Sequence, residues 1–324
     1  MAAPLLQRSD DPARVAPGCI ECHAADLTFT AAADVSLARL DAELCRLGQW
    51  FPADAADGAE LGLMVEHDAT GPLRLGYGAM RDLLLGVQFE DGRGRLVTVG
   101  GRVMKNVAGY DLTKFMVGQR GVFGRVVTVT LRSYRRPEAA VAAQLPASAD
   151  PASLRPLPSW CIEVRGKLWA GWLGDAAMAS YVAERLTEGV GVAGSVQMVR
   201  HGLDEDRALR SRLWQLPEPG DGSDEAWVEL RVDLPPGMGK MGSFAATQRL
   251  VYWLADPWHG RMKAWVPRSR VGAVRAAAWA AGGRAEAAGW PVQVSPGEAE
   301  LLTRLKRQMD PDGRLAPLEL EVMS

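Results

Sequence analysis

Between Gly100 and Leu131 the chain reads GGRVMKNVAGYDLTKFMVGQRGVFGRVVTVTL, a stretch suited to holding something anionic. Lys105 supplies a cation and Asn106 an amide, while Gly100, Gly101, Gly109, Gly118, Gly121 and Gly124 leave main chain uncovered on either side of them. A residue without Cβ admits left-handed turns and bares its N–H group. Glycine at this density beside an alternating strand therefore predicts close approach of backbone to a ligand. A pyrophosphate, which must be met by backbone N–H groups, is one ligand that needs this. The same glycines also suit tight strand corners with no ligand at all.

A second pattern, Cys19-Ile20-Glu21-Cys22-His23, has the C-x-x-C-H spacing of covalent haem attachment. Haem attachment there requires export, and the N-terminal sequence has no apolar signal segment. A strand carrying Ile20, Cys22, Leu27 and Phe29 is the better reading, for haem and zinc alike. His67, His201 and His259 stand singly, without companions at metal spacing, and no Ser-His-Asp arrangement is evident.

These residues need a frame. Leu37, Leu40, Leu44 and Leu47 recur at helical spacing, which predicts a helix over 35–48 stopped at Gly48. Leu83, Leu85, Val87 and Phe89 alternate, Glu90-Asp91-Gly92-Arg93-Gly94 turns the chain, and Leu96, Val97 and Val99 return, which predicts a hairpin. Val127, Val129 and Leu131 give a further strand. A boundary is expected near 137, with an Ala, Ser and Pro-rich linker over 143–158. Beyond it the pattern predicts strands near 160–166, 168–173, 226–232, 249–255 and 261–266. Helices are expected at 175–186, 204–216, 269–281 and 297–309. This order suggests an antiparallel sheet with helices on one face. Asp204, Glu205 and Asp206 with Arg207, Arg210 and Arg212 read as a solvated helix face.

Length and composition bound the function. With 324 residues, two domains are expected. A net charge of −2, with both signs interspersed, argues against nucleic acid or an anionic membrane as partner. Neither a membrane-spanning segment nor a signal peptide is expected, which predicts a cytoplasmic protein. Four cysteines do not make a disulfide framework. Of 11 tryptophans, seven lie between Trp160 and Trp258, where core and subunit contacts are the expected use.

The run Gly100-Gly101, Val103 through Leu112, then Val117-Gly118, Gly121 and Gly124 resembles the flavin-binding domain of the vanillyl-alcohol oxidase and p-cresol methylhydroxylase (PCMH) superfamily. Within it, the FAD-binding subunits of glycolate oxidase are most similar. Weaker likeness extends through Gly71-Pro72, Tyr77-Gly78 and Arg81-Asp82, and at the end through Leu305-Lys306 and Asp310-Pro311. The resemblance implies an α+β protein. Its expected parts are an N-terminally shortened PCMH-type FAD-binding domain over 1–137 and a ferredoxin-like α+β cap domain over 138–324. It implies FAD, held by Gly62, Gly71, Pro72 and Tyr77, by Lys105, Asn106, Gly109, Tyr110 and Asp111, and by Gly118, Gly121, Gly124 and Val126. It further implies oxidation of a 2-hydroxy acid to a 2-oxo acid, in a hetero-oligomer with a related FAD-linked oxidase subunit and an iron-sulfur subunit. Membrane association is expected only through those partners.

This chain departs from the family pattern at several places. No glycine cluster precedes Cys19 where the family carries its main pyrophosphate loop. Glu60 and Leu63 stand where the family has a hydroxylated residue and a glycine, Asp68 stands where it has Asn, and a carboxylate at Asp68 would oppose phosphate. Gly121-Val122-Phe123-Gly124-Arg125 lacks the usual threonine, and Ala316-Pro317-Leu318 replaces Asn-Pro-Gly. These changes set a second reading beside the first: a cofactor-free structural subunit of such a complex.

Overall fold

The computed structural model describes residues 16–69, 71–101, 112–145, 149, 154–164, 166–187, 197–216, 219, 226–236 and 240–323. The chain divides into two compact units. The first holds residues up to Thr70, Gly78–Arg136 and Gly297–Leu318, and the second holds Gly71–Tyr77, Pro137–Pro296 and the final residues from Glu319. One break between the units falls between Arg136 and Pro137. Two segments depart from the contiguous division: the helix Pro296–Met309 folds almost wholly with the first unit, and the short helix Arg74–Tyr77 with the second.

In the first unit a five-stranded antiparallel sheet runs in the order Ile20–His23, Thr28–Ala32, Arg125–Arg132, Leu84–Glu90, Leu96–Gly100. The hairpin over 84–100 forms as expected, because Asp91 accepts from the N–H groups of Arg93 and Arg95, 2.9 Å each, and Gly94 takes φ +75°. The helix Leu37–Cys45 starts at Ser36, whose hydroxyl accepts from the N–H of Arg39, and buries Leu37, Leu40 and Leu44. The helix Leu61–Glu66 packs its Leu61, Met64 and Val65 into the same core with Phe29, Val87, Phe89, Val129 and Leu131. Each such side chain contributes about 1.5–3 kcal/mol on burial.

In the second unit an eight-stranded antiparallel sheet has the order Gln197–His201, Ala139–Leu145, Lys167–Gly174, Trp160–Val164, Tyr252–Asp256, Arg261–Pro267, Trp227–Asp233, Arg284–Ala287. The expected linker at 143–158 is wrong at its start, where Ala139–Leu145 is a strand. Ala140, Ala142 and Ala143 are fully covered there by neighbours on both sides, so tertiary packing overrides the low strand preference of alanine. The helix Ala176–Thr187 packs against Cys161, Leu168 and Ala170, and the helices Lys240–Thr247 and Val271–Ala280 cover the other half of the sheet.

The helix Leu203–Leu213 corrects two expectations. Trp160 alternates with the core residue Cys161 and so faces the other side of the sheet, where its indole N–H donates to Asp206 at 3.1 Å. Helices therefore cover both faces. Asp206 and Arg210, expected on a solvated helix face, are 0% and 2% exposed and form an ion pair of 2.7 Å. Their spacing of four places both on the inward stripe, and burial pushes the guanidinium of Arg210 down to about 9, still charged at neutral pH. Trp160, Trp172 and Trp214 are buried, in keeping with a packing role for these indoles.

Candidate cofactor site

Among the expected site residues, Lys105, Asn106, Gly109, Tyr110 and Asp111 lie outside the described residues. Gly71, Pro72 and Tyr77 belong to the second unit, where the carbonyls of Gly71 and Pro72 accept from Arg74 and Leu75 at the start of a short helical turn. Gly62, Gly118, Gly121, Gly124 and Val126 come together in the first unit around the helix Leu61–Glu66.

The glycines there answer mostly to the protein itself. A Cβ on Gly62 would lie 2.6 Å from the Cβ of Ala33, so this residue lets the helix sit against the strand Thr28–Ala32. A Cβ on Gly124 would lie 2.4 Å from the ring of Phe89. At Gly100, with φ +72°, it would lie 2.7 Å from the hydroxyl of Thr113 and collide with the carbonyl of Leu85. Gly118 and Gly121 have room for a Cβ but take φ +80° and +74°, conformations that glycine enters without strain. Gly124→Val will overpack the core against Phe89. We expect a loss of about 1–3 kcal/mol in urea unfolding of the full chain, and an unchanged midpoint would contradict the packing described.

The polar groups of the 119–126 loop are likewise engaged from within. Gln119 is buried, and its amide works at both ends: Oε1 accepts from the N–H of Phe123 and Nε2 donates to the carbonyl of Gly124, each at 2.8 Å. Glu66 is 8% exposed, and its Oε1 accepts from the N–H of Val126 at 2.8 Å. The backbone of the same helix end completes the arrangement, with Gly118 donating to Val65 at 2.9 Å and Arg120 to Glu66 at 2.8 Å. Beneath the loop, Lys306 donates to the carbonyls of Val122 and Ala316 and to the carboxylate of Asp310, at 2.9, 2.8 and 2.7 Å. Burial opposes the charge on Asp310, but the hydrogen bond from Lys306 and the N–H groups of Arg314 and Leu315 outweigh it and hold the carboxyl below its usual range.

Tested against these residues, FAD does not fit the loop. Four of its N–H groups, at Arg120, Val122, Phe123 and Val126, already donate within the protein. The glycines at 62, 100 and 124 face protein atoms, and the Glu66 carboxylate bonded to Val126 would repel a phosphate brought to the loop. Leu63, one of the departures from the family pattern, is 50% exposed, whereas the side chains bonded within the loop are buried. The residues that do fill it, Glu66, Gln119 and Phe89, were not singled out from the sequence. A charge at position 66, closing an otherwise apolar helix, was the available signal.

The Cys19, Cys22 and His23 pattern falls on the edge strand of the sheet and the residues leading into it, as the strand reading expects. Both thiols are free, and burial, then the nearby Glu43 carboxylate, pushes the Cys22 thiol up, away from the thiolate a metal requires. Among the described residues no three His, Cys, Asp or Glu side chains gather to hold a metal.

The described fold has a solved counterpart. Alkyldihydroxyacetonephosphate synthase superposes with a TM-score of 0.57, covering 89% of this chain and 63% of the synthase at 11% identity, which establishes the shared α+β architecture. In sequence the chain is similar to glycolate oxidase subunits: it is 31% identical to glycolate oxidase subunit GlcE of Escherichia coli K12 over 216 residues, 63% of this chain and 61% of GlcE. It is also 31% identical over 93 residues to subunit GlcD of Bacillus subtilis, covering 28% of this chain and 20% of GlcD. With the mitochondrial cytochrome-dependent D-lactate dehydrogenase of Arabidopsis thaliana it shares 31% identity over 121 residues, 37% of this chain and 21% of that enzyme. The chain thus spans less than two thirds of the length of these relatives. No family model matches it.

Proposed function

We propose that this chain is a subunit of a complex that oxidises a 2-hydroxy acid to the 2-oxo acid, working beside a related FAD-linked oxidase subunit and an iron-sulfur subunit in the cytoplasm. The observation that carries this reading is the match to GlcE, which is longer than either unit of the fold and so draws on both. The reaction removes the hydrogen on C2 and the proton of its hydroxyl together with two electrons, and FAD in the complex would accept the electrons. The four cysteines here are all free, one of them buried, and their spacing supplies no cluster ligand set, so electrons leave through another subunit. No helix among the described residues is long and apolar enough to cross a membrane.

Co-expression with the neighbouring oxidase and iron-sulfur subunits tests this. The chain should co-purify with both, and its deletion should abolish dye reduction driven by glycolate, D-lactate or D-2-hydroxyglutarate. Failure to co-purify, with full activity in the deletion, would overturn the proposal.

A further inference from the structure

We infer that this chain carries its own side chains in place of a flavin nucleotide, Glu66 and Gln119 holding the loop at 119–126 closed, so that the FAD of the complex resides on the related oxidase subunit. The inference deepens the functional reading above, and it uses that reading only to say where the flavin lies. Two properties of the loop carry it.

The first is the polarity of what occupies the loop. Gln119 is one of the few side chains that can both accept from one main-chain N–H and donate to a nearby carbonyl, and here it does so with Phe123 and Gly124 while almost wholly buried. Glu66 supplies a charged acceptor to Val126, the stronger kind of hydrogen bond. A ligand that took these groups would have to displace both side chains, and it would strand an acidic group beside its own phosphates. The second is support from the opposite side. Lys306 and the N–H of Ala316 hold the carbonyls of Val122 and Gly121, so the loop is fixed at both surfaces without any outside group. The closed loop completes its hydrogen bonds without a ligand, and FAD on the related oxidase subunit would take the C2 hydrogen of the substrate as hydride, the hydroxyl proton going to a base, before two electrons pass on to the iron-sulfur subunit.

The full-length chain, purified alone, tests this without any activity measurement. Denaturation should release no flavin, added FAD should leave the melting temperature unchanged, and amide exchange at Phe123 and Val126 should be slow with or without FAD. Glu66→Gln, which keeps an acceptor for Val126, should retain this slow exchange, whereas Glu66→Ala should speed it at Val126. Release of one flavin per chain would overturn the inference, as would saturable stabilisation by FAD. So would fast exchange at both amides that slows only when FAD is added. Because these readings need no partner, they stand or fall apart from the assembly experiment.

Discussion

Asp206→Ala will destabilise the second unit by about 3–5 kcal/mol, the range for removing one member of a buried ion pair. The carboxylate accepts from Arg210 at 2.7 Å and from the Trp160 indole at 3.1 Å, with both charged partners essentially sealed from solvent. Alanine deprives a buried guanidinium and an indole N–H of this acceptor together, and the desolvated cation loses its ion pair with Asp206. Urea unfolding of the full chain measures the loss, and in a thermal melt each kcal/mol corresponds to about 2–4 °C for a unit of about 150–250 residues. Replacing the pair as a unit, Asp206→Leu with Arg210→Met, should recover most of it, since an apolar pair of similar volume is often neutral. A change below about 1 kcal/mol on Asp206→Ala is the value of an exposed pair and would contradict the buried geometry.

Lys306→Ala will have a comparable effect on the first unit, again about 3–5 kcal/mol. One ammonium serves three oxygens at once, on Val122, Asp310 and Ala316, and its removal takes the cation from a carboxylate that is 5% exposed, leaving it the N–H groups of Arg314 and Leu315, and takes a donor from two main-chain carbonyls. Lys306→Arg should not rescue it, because a planar guanidinium cannot converge three donors as a compact ammonium does. The pH dependence has a defined sign. The carboxyl of Asp310 titrates below its unfolded range, so its contribution is full above about pH 4 and is lost as pH falls through the folded pKa. The gap between wild type and Lys306→Ala should therefore narrow in acid. A gap that widened on acidification would show that the clamp does not depend on the Asp310 charge.

Much of the frame was legible because local chemistry and tertiary structure agree. The Asp-Gly turn at 91–92, the leucine spacing of 37–44 and the alternation through 125–132 each point to the element that forms. The strand Ala139–Leu145 and the helix Lys240–Thr247 were missed. Alanine, which fills the first, says little about strand or helix until its neighbours are known, and Gly242 and Ser243 dilute the helical signal of the second. At the candidate site the sequence showed that the glycines mattered but not for whom. Gly124 is small because Phe89, 35 residues earlier, needs its space, and the N–H of Val126 is met by a carboxylate 60 residues away. Such pairings are set by the packing of helix 61–66 against the sheet and leave no local pattern. Lys306 and Asp310 were visible as a signature, yet their work of clamping a distant loop appears only in the fold.

The flavin content of the purified complex bears most directly on the closed loop. The account predicts one FAD for each pair made of this chain and the related oxidase subunit. Two FAD per pair would place a flavin on this chain and contradict it.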